Sequence, residues 1–299
     1  LRTAIVPLDY PEPVAADWPD LLDIVERKVK PERDKLGDAD GGKLSGYWWR
    51  FARPRPELTA TLAKQPTILA ICETSPFIAF SILRSQTVFA HSLKLFSDSS
   101  HVAFAVLQSR PHEVWARFLA SSMKDDLRYT PSDCFETFPF PAGWEADVAL
   151  EATGREYYEA RAALMVSHDE GLTSTYNRFH TRDERDPDIL RLRELHARMD
   201  RAVLAAYGWT DLPTACEFIA DYMDEGSDGK PVEKSIRYRW PDAVRDEVLA
   251  RLLKLNAQRA DEERRSGAAA EKKSTKGGNC KPSTKKSAPK PTPLLDDMN

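Results

Sequence analysis

The stretch GKLSGYWWRFARPRPEL, residues 42–58, sets the run Tyr47, Trp48 and Trp49 against three arginines. Guanidinium planes form paired hydrogen bonds with guanine edges or with phosphates, and rings beside them can stack or wedge. Tyr47, Trp48, Trp49, Arg50, Arg53 and Arg55 are therefore the first candidates for contact with a polyanion. Arg84 and Lys94, on or near expected strands, follow as candidate phosphate contacts. The competing reading makes Trp48 and Trp49 core residues. Adjacent residues of a strand face opposite ways, so at most one would point fully inward unless both sides are covered.

A reaction centre is harder to draw. The six histidines are scattered, and the His112–Glu113 pair has no second histidine at zinc-helix spacing. His196 falls on the apolar side of an expected helix and reads as a packed residue. Asp20, Glu26 and Lys28 superficially make a PD…ExK nuclease set in PDLLDIVERK. That set needs its second carboxylate and lysine on one face of a strand, whereas this segment reads as helix, where residues two apart diverge. GDADGG, 37–42, is glycine-rich without a preceding strand, and no Walker A or nucleophile-elbow pattern occurs. A loop for S-adenosylmethionine and an Asn-Pro-Pro-Tyr type pocket for a flipped base are both absent from the sequence. No catalytic, cofactor-binding or metal-binding residue is assigned.

Four cysteines lie far apart with no CxxC pairing, which fits a reducing cytoplasm better than a disulfide scaffold or a zinc knuckle. No run of about 18 apolar residues exists, so no membrane partner is expected. The opening LRTAIVPLDYPEP lacks an initiator methionine and a signal segment, and predicts the later part of something longer or a processed product. Net charge is −4, but residues 1–141 hold 17 Lys/Arg against 18 Asp/Glu and residues 142–270 hold 19 against 26. A nearly neutral first part can still show a basic face, so the acidic total does not exclude DNA.

Apolar spacing predicts a helix over 18–36, with Leu21, Leu22, Val25 and Val29 inward and Pro31 ending or bending it. PTILAICE, FIAFSIL, TVFAHSLKLF and HVAFAVLQS read as strands of a small mixed sheet. HEVWARFLASSM reads as a helix with Val114, Phe118 and Leu119 inward. LRYTPSDCFETFPFP, 127–141, is turn-rich; its alternating Phe138-Pro139-Phe140-Pro141 cannot be helix interior, and the segment straps a rigid extended stretch across the domain it closes. Beyond it lie LEATGREYYEARAALMV, a linker SHDEGLTSTYNRFHTRDERDPD, and two amphipathic helices. One carries Ile189, Leu192, His196, Met199 and Val203 and stops at Gly208; the other carries Val244, Val248 and Leu252. The expected fold is α+β: a helical connector (1–41), a small mixed-sheet domain (42–141), a mainly helical domain (142–265) and a disordered basic tail (266–299) with seven lysines.

YWWRFARPRPEL, the strand series through VFAHSLKLFSDSSHVAFAVLQSRPHEVW, and above all LRYTPSDCFETFPFP resemble the C-terminal part of large bacterial adenine-specific N6 DNA methyltransferases. Such enzymes occur in phage-defence systems and in fused restriction–modification polypeptides. The later TSTYNRFHTRDERDPDILRLRELHARMDRAVLAAYGW and RYRWPDAVRDEVLARLLKLNAQR resemble their helical tail, and the resemblance spans roughly residues 40–260. It implies a target recognition domain over 42–141 that reads double-stranded DNA, with 142–260 as helical support. It further implies an upstream domain, in cis or as a subunit, that binds S-adenosylmethionine and methylates a flipped adenine. The cofactor is not expected on this chain alone. Under the same resemblance Tyr129, Phe135, Phe138 and Phe140 are packing pins. Companion defence proteins are possible partners. Two alternatives stay open: a protein-binding scaffold or specificity subunit without catalysis in cis, and part of a fused restriction endonuclease–methyltransferase.

Overall fold

The computed structural model describes residues 14–37, 43–49, 55–123, 126–220 and 236–266. Contacts divide the chain after Pro66 into two compact units. The tail expected to be disordered, most of GDADGG, Arg50 and Arg53 lie outside the described residues.

In the first unit, α1 (Pro19–Asp34) starts with proline in its first turn, where the missing N–H costs nothing. It runs through Pro31 instead of ending there. A proline forfeits one backbone bond and kinks a helix without forbidding its continuation. Ion pairs Asp23–Arg27 and Lys30–Asp34, one turn apart, flank the site. Leu22 and Val29 are half-buried, while Leu21 and Val25 are exposed. Two short helices follow, α2 (Lys43–Gly46) and α3 (Pro56–Leu62).

In the second unit, β1 (Thr67–Cys72) is the middle strand of a three-stranded sheet, flanked by β3 (Ser81–Arg84) and β4 (Leu93–Phe96). A second sheet orders β2 (Thr74–Ser75), β6 (Asp126–Arg128) and β5 (Ser121–Met123). Among the described residues every paired strand runs antiparallel. Between β1, ending at Cys72, and β3, starting at Ser81, the connection is too short for the crossover of a dozen residues or more that parallel strands need. Ile68 to Ile71 are all buried, so β1 is covered on both faces.

HVAFAVLQS is not a strand but the core helix α4 (His101–Gln108). Every residue from Val102 to Gln108 is buried, and a helix apolar all round carries no periodicity to distinguish it from a buried strand. The decisive signal is its cap: Ser100 Oγ accepts from the Ala103 N–H, and Asp98 accepts from the Ser100 N–H. α5 (Arg110–Leu119) follows after a single residue. Its large core ring is Trp115, whose indole donates to Thr137 Oγ1 at 3.0 Å. Phe118, expected inward, lies in the final turn and is 54% exposed. The strap contributes a short helix, α6 (Pro131–Cys134).

α7 (Val148–Ser167) is clamped between α4 and α9 (Pro187–Ala206). Asp147 caps α7, accepting from two N–H groups of its first turn. The segment read as a linker contains α8 (Leu172–Phe179), whose Thr175, Tyr176 and Phe179 are buried. Ile189, Leu192, His196, Met199 and Val203 of α9 all face the core, and Gly208 beyond it takes φ +76°, a left-handed stop. The helical half also holds an antiparallel ribbon, β7 (Glu217–Ala220) with β8 (Ile236–Arg239). α10 (Asp242–Arg265) buries Val244, Val248 and Leu252. Among the described residues no helix is long and apolar enough to cross a membrane.

Candidate nucleic-acid interface

Tyr47, Trp48 and Trp49 form a turn after α2, not a strand. Their rings meet edge to face, with centroids 5.8 Å apart for Tyr47–Trp49 and 5.6 Å for Trp48–Trp49. Edge-to-face pairing is the favoured arrangement for ring quadrupoles. Tyr47 is exposed and both indoles are half-buried, so the cluster keeps accessible surface. Arg55 is the exposed residue preceding α3, and its side chain has no ion-pair partner among the described residues. Arg50 and Arg53 fall outside them. Asp20, Glu26 and Lys28 all lie on α1, which denies them the strand geometry of a nuclease site.

Arg84 and Lys94 occupy the two edge strands of the first sheet. Arg84 pairs with Thr67 and Lys94 with Ile71, four residues along β1, so the register puts both on one face. Their charges are not equivalent. Arg84 is exposed without an ion pair among the described residues. Lys94 is tied to Glu73 at 2.9 Å, and Arg128 donates to the other Glu73 oxygen at 3.2 Å. These hydrogen bonds, Lys94 first, hold the Glu73 carboxyl below its ordinary range. A phosphate at Lys94 would compete with a carboxylate already in place.

The strap is gripped from several elements. Tyr129 is buried, and its hydroxyl shares a 3.0 Å hydrogen bond with His112 Nε2. Phe138 packs edge-on to His112, Phe135 lies 4.8 Å from Phe96, and Phe140 stacks on Trp144. Tyr207 donates to the Pro139 carbonyl and Asn256 to the Thr137 carbonyl, so α9 and α10 both hold it.

A second basic group arises from residues the sequence reading did not single out. A small, partly open pocket is lined by Arg110, Glu113, Val114, Arg117, His180, Arg237, Arg239 and Trp240. The first four recur at i, i+3, i+4 and i+7 on α5, and Arg237 and Arg239 are two apart on β8. Each series was visible as a local pattern; their convergence was not. Arg110 is anchored below by the buried Asp200, donating to its carboxylate at 2.6 Å from the side chain and 2.9 Å from the backbone. Burial would raise Asp200, yet His196 and Arg110 hold it at about 2.

Elsewhere His168, Asp186 and Asp188 bring ligand atoms within 4.8 Å of one another. Arg178 donates to Asp186 at 2.7 Å and to Glu170 and Glu184, so these carboxylates already neutralise a guanidinium.

The strand–helix–strap succession, with its ring cluster upstream, can now be set beside known proteins. Residues 15–142 match the target recognition domain of MmeI. The matched segment takes in the ring cluster, both edge-strand cations and the whole strap. DNA methyltransferase A of Bacillus subtilis (strain 168) is 28% identical over 112 residues, which is 38% of this chain and 12% of that protein. The solved structure of the Type IIL restriction–modification enzyme MmeI in complex with DNA aligns with 81% of this chain and 26% of its own. The TM-score is 0.46 and the identity 16%. This chain thus spans only a minor part of either relative's length.

Proposed function

We propose that the chain is the DNA-reading region of an S-adenosylmethionine-dependent adenine-N6 DNA methyltransferase. Residues 42–141 contact double-stranded DNA and residues 142–265 brace them. Methyl transfer and cofactor binding belong to a domain upstream, joined in cis or present as a subunit, in a cytoplasmic enzyme. The observation that carries this reading is the match of residues 15–142 to a target recognition domain. It is supported by a partly exposed aromatic cluster and an exposed Arg55 within that segment. Rings and guanidinium groups are the side chains that stack on and hydrogen-bond nucleic acid. Companion defence proteins fit the same reading as partners of the whole enzyme.

The experiment is selection of randomised duplexes on the immobilised chain at about 150 mM salt, where non-specific phosphate attraction is damped. Enrichment of one motif is the expected outcome, and even recovery of all sequences refutes recognition. Arg50→Ala, Arg53→Ala and Arg55→Ala then sort the contacts. Loss concentrated on the selected motif marks a base contact, and loss shared by all sequences marks a phosphate contact.

A further inference from the structure

β3 is an edge strand, paired with β1 on one side only. Backbone groups alternate along an antiparallel strand, so every second residue turns its N–H and C=O away from the partner. Phe80, immediately before the strand, and Ile82 belong to that outward set, and helix side chains take up their groups. The Phe80 N–H donates to Gln108 Oε1 of α4 at 2.9 Å. Arg161 of α7 donates to the Phe80 carbonyl at 2.6 Å, and Tyr158 Oη of α7 donates to the Ile82 carbonyl at 3.0 Å. Side chains thus stand where a fourth strand could pair, which also blunts the edge against other chains.

Arg161 is a costly residue for edge cover alone. It is buried, its bonds go to neutral acceptors, and its charge rests on rings, Phe104 at 5.2 Å and Tyr158 at 5.5 Å. A neutral donor would cover the edge without burying a cation. The guanidinium adds rigidity: its other nitrogen, Nη1, is fixed on Tyr176 Oη at 2.9 Å, so the planar fork cannot swing. Ile82 lies two residues before Arg84, the last residue of β3, and both side chains leave the same face of the strand. Leu83 between them is held in the ladder opposite Ile68. The peptide is planar, so holding Ile82 from α7 and Leu83 from β1 fixes the direction in which Arg84 departs.

We propose that Tyr158, backed by Arg161, is a positioning residue for Arg84, and that α7 thereby sets the angle at which this exposed guanidinium meets DNA. The proposal rests on the recognition reading above and gives the helical half a part in recognition beyond bracing.

The test uses the whole chain and the duplex selected on the wild-type protein. Tyr158→Phe removes the hydroxyl and keeps the ring beside Arg161. Tyr207→Phe removes a hydroxyl–carbonyl bond of the same kind at the strap and controls for lost stability. Duplex affinity is measured for both, for Arg84→Ala and for Tyr158→Phe combined with Arg84→Ala, with urea unfolding reporting the stability of each. Arg84→Ala should weaken the duplex roughly tenfold. Tyr158→Phe should weaken it about threefold, through lost preorganisation of one side chain. That threefold loss should vanish in the Arg84→Ala background, because a positioning residue acts only through the side chain it positions. Tyr207→Phe should bind as the wild type does. A Tyr158→Phe protein that is less stable but binds undiminished reduces the bond to edge cover and overturns the proposal. An equal loss in Tyr207→Phe, a Tyr158→Phe loss that persists in the double variant, or an Arg84→Ala protein that binds like wild type also overturns it. The recognition reading survives each of these results. A wild-type chain that enriches no duplex refutes that reading and takes this proposal with it.

Discussion

Gly154 stands where α7 crosses α4, and the two helices approach too closely there for a side chain. A Cβ at this position would lie 2.2 Å from the His101 carbonyl oxygen, 2.9 Å from Ala105 Cβ and 3.1 Å from the His101 carbonyl carbon. Two of these atoms are backbone, so no rotamer change relieves the contact. Restoring an ordinary 3.4 Å separation needs a shift of about 1.2 Å between the helices. That shift would strain the bonds tying α7 to the sheet, from Tyr158 Oη to the Ile82 carbonyl at 3.0 Å and from Arg161 to the Phe80 carbonyl at 2.6 Å. Overpacking of this kind costs about 3 kcal/mol at the upper end of its usual range. Alanine returns about 1 kcal/mol through its better helix propensity. Gly154→Ala should therefore destabilise by about 2 kcal/mol, lowering Tm by about 4–8 °C for a unit of this size. The assay is thermal and urea unfolding followed by circular dichroism. Gly46→Ala serves as control, since nothing lies within 4 Å of its added Cβ. A Gly154→Ala protein as stable as wild type, or more so, would refute the close-approach reasoning.

Asp200→Asn should cost about 3–5 kcal/mol in urea unfolding, because Arg110 is left as a buried charge without its carboxylate. Stability should also depend on pH through His112, which burial pushes down to about 3. Folded His112 stays neutral between about pH 6.5 and 3 while the unfolded chain takes up its proton, so stability is complete above 6.5 and falls as pH drops, by up to ~1.4 kcal/mol per pH unit. His180 acts in the same sense. Melting temperatures from pH 7.5 to 4.5 check this, with a shallower slope in His112→Asn; a flat profile in the wild type contradicts it. Below about pH 4.5 Asp200 and Glu113 add to the loss, since both are held at about 2 in the fold.

The long helices were legible because their signal is local. Ile189, Leu192, His196, Met199 and Val203 repeat at helical spacing, and that stripe is the buried face of α9. Val244, Val248 and Leu252 do the same for α10. His101–Gln108 was misread as a strand because full burial erases the polar face on which a period depends. The helix Leu172–Phe179 was hidden by its length and polar flanks, and the β7–β8 ribbon by strands of four residues each. Among the candidate contacts, residue type alone pointed to Arg55, Arg84 and Lys94. Type could not tell that Glu73 already holds Lys94 while Arg84 stands exposed.

By itself the sequence determined the α+β order, the apolar stripes of the late helices, and a resemblance to DNA-reading regions carried by the strap and the ring cluster. Tertiary structure alone decided which charges are already satisfied and which distant residues meet. Arg110 and Arg117 lie more than a hundred residues from Arg237 and Arg239, and the two pairs share a pocket only because the core holds α5 against β8. Periodicity is set by neighbours one turn or one pleat away, so it can be read along a chain. Convergence is set by the packing of whole elements, which no local spacing encodes.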